Sequence, residues 1–387
     1  MNTINKIDFH KNRFLMFEID ELANQKEKPG IEIIRMTLGK TELPLHKDIL
    51  DVMKNAIDTM RLNNVVIPAG LPDLKQKISD YYKNKMSINV CSSNILIGSG
   101  TSFFFRNLLS LLLSRDDEIL LPKPYYSLYH FCSLLTEASI KFYDINDDLS
   151  INMNSFESNF NLKTKVVIIN SPGNPLGNII SYSELNRIDE IVNGNAYIIS
   201  DEIYNDIYFD EKPISFLELQ NPKSTFFITN GFSKGYRMYT KRIGYCIVPD
   251  EFIEKLSVIL QHTMLTVDPV NQFGAMQALN LPEEVESIRK LYLSRRNYAV
   301  IAFQKLENVL MIKSKGSFYI TLNCSNYINN NPIKNCLELA KDILNKTNVA
   351  VVPGVDFGMP NTLRLSFTTS KFEEGINKLV NYFRGEN

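Results

Sequence analysis

Between about residues 90 and 250 the chain alternates short runs of β-forming apolar residues with longer stretches whose apolar positions recur with a helical period. The short runs are Asn94–Ile97, Glu118–Leu121, Lys165–Ile169, Ala196–Ser200, Thr225–Thr229 and Ile243–Val248. Runs of four to six residues are too short for helices, and their nearly continuous apolar character fits strands buried on both faces. Between them, Ser102–Leu113 reads as a buried helix. Ser181 followed by Glu184 is a capping box, opening a helix that stops near Asn193-Gly194. Strand and helix in alternation predict an α/β domain built on a mostly parallel sheet.

Beyond residue 280 the texture changes to a charged helix (Glu283 to Leu306), strands around Ser317–Leu322 and Leu363–Phe367, and a closing amphipathic helix. The reading is a smaller α+β domain. The first 45 residues, punctuated by Pro29-Gly30 and Leu38-Gly39, read as an arm packing on that domain or on a partner subunit. The expected division is arm 1–45, large domain 46–280 and small domain 281–387. Its 387 residues exceed what one core usually organises.

Charge and composition then narrow the chemistry. Forty-two basic and 43 acidic side chains are spread evenly for a net charge of −1, which leaves no electrostatic footprint for nucleic acid. Five scattered cysteines without a Cys-x-x-Cys pair suggest neither a disulfide framework nor a zinc site, and a cytoplasmic location is expected. His10, His46, His130 and His262 show no metal-ligand spacing, so no metal is expected. The longest apolar stretch, near Leu108–Leu113, is far too short to span a bilayer.

In an open α/β sheet, ligands sit beyond the carboxyl ends of the strands, so the polar residues there are the candidates. Ser99-Gly100-Thr101 follows the first strand and opens a helix, which suits a phosphate and is equally the look of an ordinary capped helix. Pro122-Lys123-Pro124-Tyr125-Tyr126 offers an aromatic ring to the crevice or to the core. Asn170-Ser171-Pro172-Gly173-Asn174 is a rigid turn in which Asn174 can present an amide. Asp201, at the end of a buried strand, needs a cation or donor as partner. Lys234 can form a Schiff base with an aldehyde, with Ser233 and Arg242 beside it for a phosphate.

In that order these residues describe a pyridoxal-phosphate site. The sequence resembles the class I/II aminotransferases of the aspartate-aminotransferase superfamily, fold type I, over essentially its whole length. Ala69-Gly70-Leu71-Pro72, Lys315-Gly316-Ser317-Phe318-Tyr319, Val352-Pro353-Gly354 and Leu363-Arg364-Leu365-Ser366 also match. The resemblance implies a mostly parallel seven-stranded sheet and a homodimer with its active site at the subunit interface. It implies that Lys234 holds the cofactor aldehyde and shuttles the α-proton, and that Asp201 keeps the pyridine nitrogen protonated. Asn174 and Tyr204 would bond the ring hydroxyl and Tyr126 would stack on the ring. Ser99, Gly100, Thr101, Ser233 and Arg242 would take the phosphate. Arg364 would clamp the substrate carboxylate, with Asn174 beside it and Gly39 of the arm closing over it. One position departs from the family: Val65 stands where a tyrosine usually reaches the neighbouring subunit's phosphate.

The function expected is transfer of an α-amino group from an amino acid to a 2-oxo acid. The same residues could also serve a lyase or cyclising synthase working by β- or γ-elimination, and a protein that binds the cofactor without catalysis is a third reading.

Overall fold

The computed structural model describes residues 7–9, 12–37, 39, 41–59 and 67–386. Val65, with Asn63 and Asn64 beside it, lies outside the described residues, as does His10.

The arm contributes the helix Leu15–Lys26 and strand β1 (Ile34–Arg35). The large sheet follows: β2 (Ile95–Gly98), β3 (Glu118–Lys123), β4 (Ser139–Asp144), β5 (Thr164–Asn170), β6 (Tyr197–Asp201), β7 (Phe226–Gly231) and β8 (Gly244–Ile247). Their spatial order is β2-β8-β7-β6-β5-β3-β4. β3, β4, β5, β6 and β7 pair in parallel, while β8 runs antiparallel to both β7 and β2. Six of these strands stand where the apolar runs predict them. β4 is the addition. It is an edge strand, half exposed along most of its length, so its sequence Ser-Ile-Lys-Phe-Tyr-Asp carries no continuous apolar run.

Both faces of this sheet are buried, which explains the unbroken apolar runs. Ile95 and Ile97, Leu120, Val167 and Ile169, Ile198 and Ile228 point to one core. Leu96, Ile119 and Leu121, Val166 and Ile168, Ile199 and Phe227 point to the other. Alternation along each strand therefore separates two apolar faces rather than an inside from an outside.

The third core belongs to the C-terminal part. There β9 (Leu310–Ile312), β10 (Tyr319–Asn323), β11 (Val349–Ala350), β12 (Val352–Pro353) and β13 (Thr362–Ser366) pack against the helices Pro282–Phe303, Cys336–Thr347 and Phe372–Arg384. β12, β13, β10 and β9 form an antiparallel sheet, and β1 pairs in parallel with β11. Ile19, Ala23, Ile34 and Met36 of the arm are buried in this same core.

Backbone bonds, among them the following three, tie the C-terminal part to the large sheet's active edge. Phe209 N–H donates to the Lys315 carbonyl, Ser317 N–H to Ile207, and Gly316 N–H to Gly177, at 2.8–2.9 Å. The turn after β5 and the turn after β6 are thereby held against the segment that enters β10.

Candidate active site

The carboxyl ends of β3, β5, β6 and β7 open onto one cleft, and the residues expected there converge on it. Tyr126, Asn174, Asp201, Tyr204, Ser233, Lys234 and Arg242 all line it, joined by Thr101, Gly39 and Arg364. Several arrive by a short route from a strand end: β6 ends on Asp201, and Ser233-Lys234 come one residue after β7. Arg364 lies in the middle of β13, and Gly39 comes from the arm.

Asp201 is buried and finds the partners its position requires. Tyr129 Oη donates to its Oδ2 at 2.5 Å, while the Ile203 amide and Thr229 hydroxyl donate to Oδ1 at 3.2 and 3.3 Å. Burial raises its pKa to about 6 against the pull of those donors and of Lys234. A cationic N–H beside this carboxylate would bring it back down.

Lys234 faces the opposite pressure. Its Nζ donates to the Gly39 carbonyl at 3.1 Å and lies 5.1–5.6 Å from the ring centres of Tyr204, Tyr239 and Phe318. Burial, reinforced by the Arg364 and Arg242 guanidiniums, lowers its pKa to about 7, with Asp201 resisting. The amine is thus close to half neutral at pH 7. Gly39 is the residue type this approach demands: a Cβ there would stand 2.9 Å from Lys234 Nζ and 2.4 Å from Tyr319 Oη.

Arg242 donates to Ser102 Oγ at 3.2 Å and to the Tyr239 carbonyl, also at 3.2 Å. It lies against the start of the helix Thr101–Leu112, whose N-cap is Gly100. Gly100 has φ +78°, and a Cβ on it would come 2.5 Å from Arg242 Nη2. The glycine therefore serves both the left-handed turn and the close approach of the guanidinium. Helix amides, the Thr101, Ser102 and Ser233 hydroxyls and Arg242 together make a donor set for a phosphate. Ser99 stands apart from the cleft lining, and Ser102, one helical position past Thr101, takes the place expected of it.

Arg364 is almost fully buried. It donates to Asn174 Oδ1 at 3.2 Å and to the Thr37 carbonyl at 2.7 Å, and packs over the rings of Tyr319 and Phe357 at 4.2 and 4.6 Å. Among the described residues its Nε has no hydrogen-bond partner. A buried guanidinium N–H left unpaired beside a cleft suits an incoming carboxylate. Tyr204 Oη donates to Tyr319 Oη at 3.1 Å, and burial keeps its phenol protonated.

The arrangement fits pyridoxal phosphate: an amine for its aldehyde, a phosphate cradle on one side, and a buried carboxylate for its ring nitrogen on the other. Tyr129, Ser102 and Tyr239 complete the site without having been singled out from sequence, and Tyr319 stands in a matched segment for which no role was expected. Tyr129 had a signal, since it lies three residues past Tyr126 at the start of the helix Ser127–Leu134, where that spacing shares a face. Phe14 and Met16 of the arm had none.

Comparison with known proteins agrees with this geometry. The family model "Aminotransferase class I and II" matches residues 32–382. An aspartate aminotransferase of Bacillus sp. (strain YM-2) is 28% identical over 372 residues, covering 94% of each chain. An asparagine–oxo-acid transaminase of Streptococcus mutans is 28% identical over 366 residues, covering 92% of this chain and 93% of its own. The solved structure of an aspartate aminotransferase from Thermotoga maritima superposes with a TM-score of 0.88 at 22% identity, over 99% of this chain and 100% of that one. With the family's residues gathered in one cleft and the match running almost end to end, the chain belongs to the class I and II aminotransferases, enzymes that depend on pyridoxal phosphate.

Proposed function

We propose that the cleft around Lys234 carries the transamination, with the residue roles that follow. The chemistry supplied by bound pyridoxal phosphate is acceptance of the amino group and withdrawal of electrons from the substrate α-carbon. Arg364 binds the substrate carboxylate through Nε and a terminal nitrogen, with Asn174 holding the guanidinium's other edge. That fixes the α-carbon relative to Lys234. The neutral Lys234 amine takes the α-proton and redelivers it, and its pKa of about 7 suits both directions of transfer near neutral pH. Asp201, held by Tyr129 and Thr229, keeps a cation on the ring nitrogen. Tyr204 and Asn174 serve the ring hydroxyl, Tyr126 the ring face, and Thr101, Ser102, Ser233 and Arg242 the phosphate. Phe14, Met16 and Tyr126 narrow the mouth against water.

The observation that carries this reading is a lysine of lowered pKa in the same cleft as a buried arginine whose Nε has no partner among the described residues. We place the enzyme in the cytoplasm as a homodimer, with arm 1–45, large domain 46–280 and small domain 281–387 as its working parts. The five free thiols, four of them buried, support the compartment. No helix among the described residues is long and apolar enough to cross a membrane.

The test is to incubate holoenzyme with single amino acids and identify products by mass. A 2-oxo acid together with pyridoxamine phosphate supports transamination. Release of ammonia with the cofactor unchanged would point instead to elimination.

A further inference from the structure

The first helix, Leu15–Lys26, lacks a cap of its own. Its N-cap residue is Phe14, which offers no side-chain acceptor. The amides of Leu15 and Met16 are taken by Asp356 instead, some 340 residues away in sequence. Oδ1 accepts from Leu15 at 3.0 Å and Oδ2 from Met16 at 2.9 Å. Asp356 lies in the short turn Gly354–Phe357 that precedes β13, the strand bearing Arg364. A carboxylate on two free amides at a helix start is favoured both by hydrogen bonding and by the helix dipole.

What this helix start carries reaches the substrate side of the cleft. Met16 Sδ is 3.6 Å from Arg364 Nη2. The Phe14 ring meets Tyr126 and Phe357 edge-on at 6.5 and 6.3 Å, and Phe357 in turn covers the Arg364 guanidinium. One carboxylate therefore sets an apolar wall at a fixed distance from the carboxylate clamp.

We propose that Asp356 is a positioning residue for substrate recognition, which caps the arm helix so that Phe14 and Met16 stand beside Arg364 and confine the bound amino acid. The inference rests on the transaminase reading of the cleft. Burial raises the Asp356 pKa to about 6, opposed by the Leu15 and Met16 amides and by Arg364 and assisted by Glu18 of the same helix. Arg13, Tyr125, Tyr126 and His130 are titratable groups lining the same cavity as Asp356, the rings of Tyr125 and His130 stacked 5.1 Å apart. Because the folded pKa lies above the ordinary carboxylate value, the cap is intact at neutral pH and is lost as pH falls through about 6.

Amide hydrogen exchange on the holoenzyme reads the cap without turnover. Affinity is read by titrating each common L-amino acid and following loss of the cofactor's visible absorbance. Asp356→Ala is expected to speed exchange at both Leu15 and Met16, and Asp356→Asn at one of them, because its side chain keeps a single acceptor oxygen. They should also raise the half-saturating concentration about five- to thirtyfold, the loss expected of one helix cap, with cofactor content unchanged. In the wild type that concentration should climb below about pH 6 more steeply than in Asp356→Asn, where only the titration of Asp201 remains near that pH. Met16→Ala should raise it while leaving the amides protected, so an effect on the wall is visible even where the Asp356 variants fold poorly. Amides that stay protected in Asp356→Ala, or amides that loosen with no change in affinity, would overturn the proposal. If no amino acid bleaches the wild-type absorbance, the transaminase reading itself fails, and the exchange data still show separately whether Asp356 caps the helix.

Discussion

Two burials of opposite consequence meet at Lys234 and Asp201. Desolvation strips the proton from the amine and presses one onto the carboxylate, and each group partly restores the other's charge. In the enzyme freed of cofactor, covalent capture of pyridoxal phosphate needs the neutral amine. The capture rate should therefore rise with pH through about 7 and level off above 8, followed by the growth of visible absorbance. A rate still climbing steeply at pH 9–10 would mean that Lys234 keeps an ordinary lysine pKa. Lys234→Ala should abolish that absorbance and lower turnover by at least about a thousandfold, since general acid–base catalysis alone contributes on this order. Arg364→Ala should weaken amino-acid binding about ten- to a hundredfold, the worth of charge-assisted bonds to one carboxylate, while cofactor retention changes little. Equal half-saturation with collapsed cofactor retention would show that Arg364 serves the phosphate instead.

At the scale of single elements, the helix Tyr182–Val192 shows how local sequence chemistry is reused over longer range. Ser181 accepts from the Glu184 amide, and the Glu184 carboxylate accepts from the Ser181 amide at 2.7 Å, closing the predicted capping box. The same carboxylate also accepts from the Ile151 amide at 2.7 Å, on the loop that follows β4. Ser181→Ala should therefore cost about 1 kcal/mol, an ordinary cap loss. Glu184→Ala should cost more, because besides the exposed Ser181 amide it leaves the buried Ile151 amide without its acceptor. Denaturant unfolding of the two variants side by side checks the order, and equal losses would show that the Ile151 bond contributes nothing. The cap was legible because its residues are three apart. The Asp356 cap on Leu15 and Met16 is the same chemistry, yet no local pattern announces it.

Across the whole molecule, the junction between the large sheet and the C-terminal part includes one strongly asymmetric ion pair. Arg296, 2% exposed, donates to both oxygens of Asp210 at 2.7 and 3.0 Å and to the Ser314 carbonyl at 3.1 Å, whereas the Asp210 side chain is 49% exposed. Removing the carboxylate leaves a buried cation with the Ser314 carbonyl as its remaining acceptor, so Asp210→Ala should destabilise by about 1–3 kcal/mol, less than for a fully buried pair because Asp210 is half exposed. Arg296→Met leaves Asp210 free to hydrate and should cost distinctly less. Thermal unfolding that ranks them the other way would show that the guanidinium contributes mainly by packing. The hydrogen bond from Arg296 holds the Asp210 pKa below its ordinary value, so this contribution is present at neutral pH and fades only under strong acid. The large domain's strands and capped helices were readable because burial on both faces and capping leave marks within a few residues. The order of chemistry along strand ends, from Gly100 to Arg242, was readable for the same reason: an α/β sheet places its ligands where strands stop. The exposed edge strand β4 was not readable, because half its side chains meet water. Nor were the roles of Phe14, Met16, Tyr239 and Tyr319, whose positions depend on where the arm and the C-terminal sheet come to rest. Sequence alone marked the polar groups that follow the strand ends, among them Asp201 and Lys234, as candidates for one site. Only the tertiary structure decided which of them touch, because a buried contact between residues hundreds of positions apart is selected by packing and desolvation, and neither is written in local spacing.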